Sequence, residues 1–389
     1  MLLDHAAGSP VLPEAVEVVC GLLGTVGSPE QAGGAGRRAA AVVEHARATV
    51  AGALGAAHDE VVLTGGGTEG DNLAVKGLYW AQRQQDPART RVLVGAAEHQ
   101  AVLGAADWLA AASQARVERL PVDDVGRVAV DTVRAALAGG GADVALVSLS
   151  LANNEVGTVQ ALDEVVELAH AAGARVHTDA VQAVGQLPVD FSRLGVDALT
   201  VSGHKYGAPP GTGALLLREG VACRSLLHGG AGRTPADRLR PGPLSPALAA
   251  GFAVATASVV EQQPAHAVRL RSLRDQLVHR VQEAVPGARL RGDPVDRLPG
   301  NAHLTFAGCE GDSLVLLLDA RGVLVSTGSA CSAGVPRPSH VLLAMGVPED
   351  EARSSLRFSL GHGSTGADVD ALVAVLPAVV ERARSAGWR

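Results

Sequence analysis

The sequence predicts an α/β fold: a mostly parallel central sheet with helices on both faces, followed by a smaller C-terminal α+β domain. Three observations carry that prediction. Between about residues 60 and 217, short β-branched runs alternate with helical patterns, as strands and helices taking turns would. Runs such as VALVSL are apolar on both faces, which a buried parallel sheet requires. After a stretch rich in Gly, Pro and Arg at 228–246, the alternation gives way to a long helical pattern and only a few further strands.

Taken in order, the strands are expected at Val61–Thr64, Arg91–Gly95, Arg116–Leu120, Val144–Leu149, Arg175–Thr178, Ala198–Ser202 and Ala214–Leu217. Helices are expected between them at Glu69–Gln82, His99–Ala112, Val130–Leu137 and Leu162–Ala172. The stretch HGGAGRTPADRLRPGPLSP, from His228 to Pro246, reads as a long functional or boundary loop. A helix from about Ala247 to Val285 is expected to break or kink near Pro264. Strands follow at His303–Phe306, Val323–Ser326 and Leu356–Ser359. Thr365 and Asp368 form a capping-box pattern before a final helix whose apolar face is Val369, Leu372, Val373, Leu376 and Val380.

Composition bounds the function. The chain has 389 residues with a net charge of −7, so no basic field exists to hold nucleic acid or an anionic membrane. The opening MLLDHAAGSP carries no Lys or Arg and is not expected to be a secretory signal. No apolar run reaches the roughly 18 residues of a spanning helix, and the expected location is cytoplasmic. Cys20, Cys223, Cys309 and Cys331 are far apart, so neither a disulfide framework nor a zinc site is expected, and no metal is. Each cysteine reads as a small buried hydrophobe unless its surroundings argue otherwise. The 33 basic residues include only two lysines, Lys76 and Lys205. A lysine kept in an arginine-biased chain suggests imine chemistry, which arginine cannot perform, or else chance survival at the surface.

Ligands of parallel sheets bind outside the carboxyl ends of the strands, and three motifs fall there. Thr64-Gly65-Gly66-Gly67-Thr68-Glu69 follows a strand and opens a helix, where free N–H groups and the helix dipole suit a phosphate. Gly65–Gly70 also fits GxGxxG literally, but no acidic residue ends the next strand, which makes a nicotinamide oxidoreductase a distant alternative. Asp179 ends the strand RVHTD with Gln182 three residues on; it reads either as a turn cap or as the partner of a protonated ring nitrogen. Lys205 stands in SGHKYG at another strand end, whereas Lys76 sits mid-helix in a solvated or snorkelling position. A phosphate cradle, a carboxylate for a ring nitrogen and a strand-end lysine are together the fittings of a pyridoxal 5'-phosphate site.

These residues resemble the cysteine desulfurases of the NifS and IscS type, within the fold-type I (aminotransferase class V) pyridoxal-phosphate enzymes. The resemblance runs nearly end to end through TGGGTEGDN, EHQAVL, NNEVGT, HTDAVQ, SGHKYG, STGSAC and RFSLG. It implies that Lys205 holds the cofactor and shuttles the Cα proton, that Asp179 pairs with the ring nitrogen and that Gln182 meets the ring hydroxyl. His99 would stack on the ring and assist proton transfer, while Gly67, Thr68, Ser202 and His204 would bind the phosphate. Asn154, which would also touch the cofactor, and Arg357 would take the substrate carboxylate, and Cys331 would be the sulfur-accepting nucleophile in a loop of small residues. Without the family pattern, His99 also reads as a helix cap and Arg357 as a surface arginine.

The resemblance implies an N-terminal segment (1–13) packing with the small domain, a large cofactor-binding domain (14–246) and a small C-terminal domain (247–389) carrying the Cys331 loop. It implies a homodimer that converts L-cysteine to L-alanine and passes persulfide sulfur to an acceptor protein, for iron–sulfur cluster assembly or another thiolation pathway. A C–S β-lyase, a selenocysteine lyase or an aminotransferase is the alternative that keeps the cofactor, and a non-catalytic scaffold is another. The chain departs from the family at DHAAGSP, at Gly27-Ser28-Pro29-Glu30 and in the 228–246 loop. There Pro243 stands where a phosphate-binding threonine of the neighbouring subunit is expected, with Arg233, Arg238 or Arg240 as a possible substitute.

Overall fold

The structure is a computed structural model, and it describes residues 1–139, 141–230, 232–328 and 337–386. Its strands are β1 (Val61–Thr64), β2 (Arg91–Gly95), β3 (Arg116–Leu120), β4 (Val144–Ser148), β5 (Arg175–Asp179), β6 (Ala198–Ser202), β7 (Gly213–Leu217), β8 (Ala288–Arg291), β9 (Asn301–Phe306) and β10 (Ser355–Ser359). Its helices are α1 (Pro13–Leu22), α2 (Gly34–Leu54), α3 (Gly67–Gln85), α4 (Gln100–Ser113), α5 (Val130–Ala136), α6 (Leu162–Ala171) and α7 (Phe191–Leu194). They continue with α8 (Pro235–Leu239), α9 (Pro246–Ala284), α10 (Gly311–Asp319), α11 (His340–Ala344), α12 (Glu349–Arg353) and α13 (Gly366–Ala386).

The first seven strands form one sheet in the order β1-β7-β6-β5-β4-β2-β3. Strands β3, β2, β4, β5 and β6 run parallel, and β7 runs antiparallel to both β6 and β1. Successive residues face opposite sides, so Leu63, Leu93, Leu199 and Leu216 enter one apolar cluster while Val62, Val92, Ala198 and Leu215 enter another. This two-faced burial is why these runs are mostly apolar. The turnaround at β7 also matters for the site. Gly213 pairs with Thr64 on one side and with Ser202 on the other, which sets the end of β1 beside the end of β6. A Cβ at Gly213 would lie 2.6 Å from the Val201 carbonyl and 2.8 Å from Gly66 Cα, so only glycine permits that approach.

The smaller sheet, β10-β9-β8, is antiparallel and has its own apolar cluster, centred on Leu304, Phe306, Leu314, Phe358 and Leu372. Helix α9 joins the two clusters. Phe252, Ala255 and Val259 pack into the large-sheet cluster, and Leu270, Leu273, Leu277 and Val281 into the small-sheet one. The expected break at Pro264 does not occur; the helix is continuous. Pro264 lies on the exposed face between the two packed halves. Burial of both halves outweighs the roughly 3 kcal/mol that an interior proline costs a helix.

Three further expectations are corrected. Val323–Ser326 is not a strand, because Leu324 bridges to Leu2 while Ser326 bridges to Arg357, two different partners. The 228–246 stretch is not all loop: Thr234 caps α8, its Oγ1 accepting from the Asp237 N–H (3.1 Å). Asp237 in turn holds the buried Arg47 of α2 (3.0 Å). Of the free cysteines, Cys309 is buried and Cys223 half-buried, but Cys20 is exposed. Cys331 lies outside the described residues.

Candidate active site

The carboxyl ends of β1, β2, β4, β5 and β6 open onto one cleft, and each delivers residues singled out from the sequence. From β6 the chain turns through a short 3₁₀ segment, Gly203–Lys205, which lifts the Lys205 side chain above the sheet. Its Nζ donates to the carbonyl oxygens of Ala6 (2.8 Å) and Ala7 (3.1 Å). Gln182 Nε2 donates to the same Ala6 oxygen (3.0 Å). Burial, with Arg357 nearby, pulls the Lys205 amine down to about 8, against the upward pull of Asp179 and Asp4. An amine so shifted is still mostly protonated at pH 7, but its neutral form, the one that attacks carbonyl carbon, is far more abundant than in an ordinary lysine and predominates above pH 8. Lys76 instead sits 4.6 Å over the Trp108 ring.

Asp179 ends β5, buried, with Oδ1 accepting from the Val181 N–H (2.8 Å). It therefore is a turn cap, and it also faces the cleft. Burial raises its pKa, while His99, the Val181 N–H and Lys205 hold it down. His99 caps α4, Nδ1 accepting from the Ala101 N–H (3.2 Å), so the neutral ring carries its proton on Nε2. Its pKa is lowered, first by burial. Asp71, His99 and Asp179 bring donor atoms within 4.8 Å of one another.

The glycine-rich turn makes the expected cradle. Gly66 precedes α3 with φ 144° and ψ −175°, and no side chain caps the helix. The first-turn N–H groups of α3 therefore lack intrahelical partners. Gly67 is buried, and a Cβ there would lie 2.8 Å from Val181 Cγ2 and 3.4 Å from Ser202 Cβ, so the turn packs against the end of β6 only because the residue is glycine. Ser202 Oγ and His204 Nδ1 are 3.0 Å apart. Burial and Lys205 push the His204 ring down to about 4, so it is neutral at pH 7. Thr68 lies in the same first turn. Arg240 of the altered loop reaches this place: its Nε donates to Glu69 Oε1 (3.1 Å), and Glu69 Oε2 accepts from the Gly65 N–H (2.7 Å). Arg233 bonds instead to the Pro29 carbonyl, and Pro243 lines a cavity of about 540 Å³ with Arg37 and Thr234.

Arg357 is not a surface arginine. It is 5% exposed on β10, with Nη2 on Asp4 (2.8 Å) and Nη1 on the Asn154 carbonyl (3.0 Å). An incoming carboxylate must share this guanidinium with Asp4. Asn154 itself is half-buried at the cleft wall. The expected nucleophile, Cys331, lies outside the described residues; Gly328 and Ser339 are described on either side of it.

Sequence reasoning missed several groups. The Ala6 carbonyl is a backbone acceptor, which no motif announces. Asp71 is buried beside Asp179, and burial followed by that neighbour raises its pKa. Glu98, next to His99, is 3% exposed and pushed up to about 8, mainly by burial. Its Oε1 accepts from the Ser150 N–H (2.9 Å). A carboxylate in a sequence reads as surface, so only EHQAVL taken as a unit offered a signal.

The residues present fit pyridoxal phosphate. An uncapped helix start with a hydroxyl and a neutral imidazole beside it suits the phosphate, and a buried carboxylate suits a ring cation. A lysine with a lowered pKa stands between them. They do not fit a dinucleotide, because among the described residues β1 pairs only with β7, antiparallel, and is not a neighbour of β2, the strand that follows α3.

The aminotransferase class V family model matches residues 1–372. The chain is 49% identical over 386 residues to the IscS-like cysteine desulfurase of Mycobacterium tuberculosis, covering 99% of this chain and 97% of that one. Among solved structures, a NifS-like protein superposes with a TM-score of 0.89 at 29% identity, over 98% of this chain and 99% of that one. SspA in complex with cysteine superposes with a TM-score of 0.79 at 29% identity, over 92% and 98%. The strand-end site and these similarities agree: the chain belongs to the aminotransferase class V family, among the IscS- and NifS-like cysteine desulfurases.

Proposed function

We propose that this protein is a pyridoxal-phosphate-dependent cysteine desulfurase. It converts L-cysteine to L-alanine and carries the sulfur as a persulfide on Cys331. The observation that carries the reading is the convergence of Lys205, Asp179 and His99 with the open α3 start beside Ser202.

In this reading Lys205 Nζ holds the cofactor, and Gly67, Thr68, Ser202 and His204 hold its phosphate. Asp179 keeps the ring nitrogen protonated, Gln182 meets the ring hydroxyl, and His99 lies against the ring. Bound there, pyridoxal phosphate supplies the electron sink that lets the substrate Cα proton leave. Lys205 Nζ, its pKa lowered toward neutrality so that a usable fraction is free base, takes that proton. Arg357 and Asn154 orient the substrate carboxylate. Cys331 as thiolate attacks the substrate sulfur: the S–S bond forms, the Cβ–S bond breaks, and its electron pair leaves with the carbon fragment, which is protonated to alanine.

The protein works as a cytoplasmic homodimer and hands its sulfur to an acceptor protein. Among the described residues, no helix is long and apolar enough to cross a membrane. Titrating apoprotein with pyridoxal phosphate tests the cofactor assignment. Wild type should develop visible absorbance with a rate that rises through pH 8. Lys205→Ala should bind without that absorbance; an identical spectrum would remove Lys205 from the role.

A further inference from the structure

Asp4 has no role in the chemistry above, yet it is bonded to the arginine that the substrate carboxylate needs. Arg357 Nη2 donates to Asp4 Oδ1 (2.8 Å), and Nη1 donates to the Asn154 carbonyl (3.0 Å). Nε is buried and meets no acceptor among the described residues. An incoming carboxylate therefore reaches this guanidinium at Nη1 and Nη2, and Nη2 is where Asp4 already sits. Two carboxylates, one resident and one brought by the substrate, then draw on the same cation. The other groups around Arg357 do not compete in this way. The charge of Arg357 acts on Glu155, but that carboxylate is bonded to Ser339. His303, opposite Arg357 in the sheet, is neutral, because burial and then Arg357 push its ring down to about 3.

The backbone around Asp4 is fixed at two places. At the end of β10, the Ser359 N–H donates to the Leu3 carbonyl (2.7 Å) and the His5 N–H to the Ser359 carbonyl (3.2 Å). The Ala6 N–H donates to Ser359 Oγ (2.9 Å). Further on, the Ser9 N–H donates to the His204 carbonyl (2.8 Å) and Ser9 Oγ to the Lys205 carbonyl (2.9 Å). Between these pins the Ala7 N–H turns back onto the Asp4 carbonyl (3.1 Å). The strap from Leu3 to Ser9 thus runs from the small sheet to the cofactor lysine, and Asp4 lies two residues from Arg357 in the bridge to Ser359. With its side chain 18% exposed, a carboxylate so held stays beside Arg357 when a second one arrives.

We propose that Asp4 is a positioning residue that competes for Arg357: it holds the guanidinium in the empty site and lowers its affinity for amino-acid carboxylates, so that the alanine product is released. The inference rests on the assignment of Arg357 to the substrate carboxylate. Its signature is a sign: removing the charge of Asp4 tightens binding, whereas loss of a merely structural contact would weaken it or leave it alone.

The test titrates holoenzyme with L-alanine and follows the cofactor absorbance. L-Alanine carries the carboxylate and no sulfur, so Cys331 has no part in its binding. Asp4→Asn keeps an acceptor for Nη2 and removes the charge; it should tighten L-alanine by about three- to ten-fold, with KM for L-cysteine falling in the same direction. Asp4→Ser, also neutral, should tighten L-alanine too, and it decides by the same criterion if Asp4→Asn does not fold. Ethylamine, which lacks the carboxylate, should not tighten in either variant. In an Arg357→Ala background, Asp4→Asn should change L-alanine binding by less than about two-fold, because the shared cation is gone. Unchanged or weaker L-alanine binding by Asp4→Asn overturns the proposal, and so does an equal tightening of ethylamine. Arg357→Ala alone separates the premises. Wild-type affinity for L-alanine in that variant would sink the carboxylate assignment of Arg357, whereas weakened binding there without tightening in Asp4→Asn would sink only the role of Asp4.

Discussion

The two walls of the cleft are built on different principles. The wall from the seven-stranded sheet carries Asp179, Ser202 and Lys205 at the ends of adjacent parallel strands, so their spacing follows from the sheet itself. The wall from the three-stranded sheet carries Arg357 and the approaches to Cys331. Its positions depend on individual contacts: Asp4 on the guanidinium, Ser326 on the backbone of β10, Ser339 on Glu155. The first wall is suited to holding a cofactor in one place. The second is assembled from contacts that a substrate or an acceptor can exchange. Damage to the first should abolish the chemistry, and damage to the second should change affinity or one step.

The largest expected effect is on the sheet wall. Lys205→Ala should take turnover below detection, since no second lysine is within reach; measurable turnover at the wild-type rate would break the comparison. Next, Gly67→Val should lower pyridoxal-phosphate affinity by an order of magnitude or more, because a Cβ there already meets Val181 at 2.8 Å. Equilibrium titration of apoprotein reads this directly. On the other wall, Arg357→Ala should raise KM for cysteine about 10–100-fold, the loss of one or two charge-assisted hydrogen bonds. Cofactor absorbance should be unaltered.

The smallest effect is on stability and has a sign that pH can check. Glu98 has its carboxyl pushed up to about 8 in the folded protein, from an ordinary value of 4.5. The folded state therefore binds more protons than the unfolded one between those values, and stability from this group is lost as pH rises from 4.5 through 8. Glu98→Gln keeps an acceptor for the Ser150 N–H and removes that loss. Thermal unfolding should find the variant gaining on wild type by about 1–3 kcal/mol between pH 6 and pH 8. An unchanged difference across that range would mean that Glu98 is charged when folded.

What was legible in the sequence follows the same division. The central strands of the large sheet were plain because burial on both faces demands apolar runs, often β-branched, between turn signals, and the residues at their ends were placed with them. Strand β8, ARLR, has no β-branched residue and lies at the edge of the small sheet, so nothing in its composition announced it. The continuity of α9 through Pro264 depends on what packs against its two halves, which is tertiary information. The Ala6 carbonyl under Lys205 and Gln182 is backbone, and the Asp4–Arg357 pair joins residues 353 positions apart. Neither leaves a local trace. Asp179 is a turn cap, one of the two readings its sequence allowed, and it is buried at the end of β5.

The central claim is that sulfur leaves cysteine through Cys331. The most direct measurement is release of alanine and sulfide from L-cysteine with reductant, comparing wild type with Cys331→Ser. Both products should form with wild type, and the variant should lose them while keeping the cofactor spectrum. Full activity of the variant toward cysteine would contradict the account and leave a C–S lyase on the same scaffold.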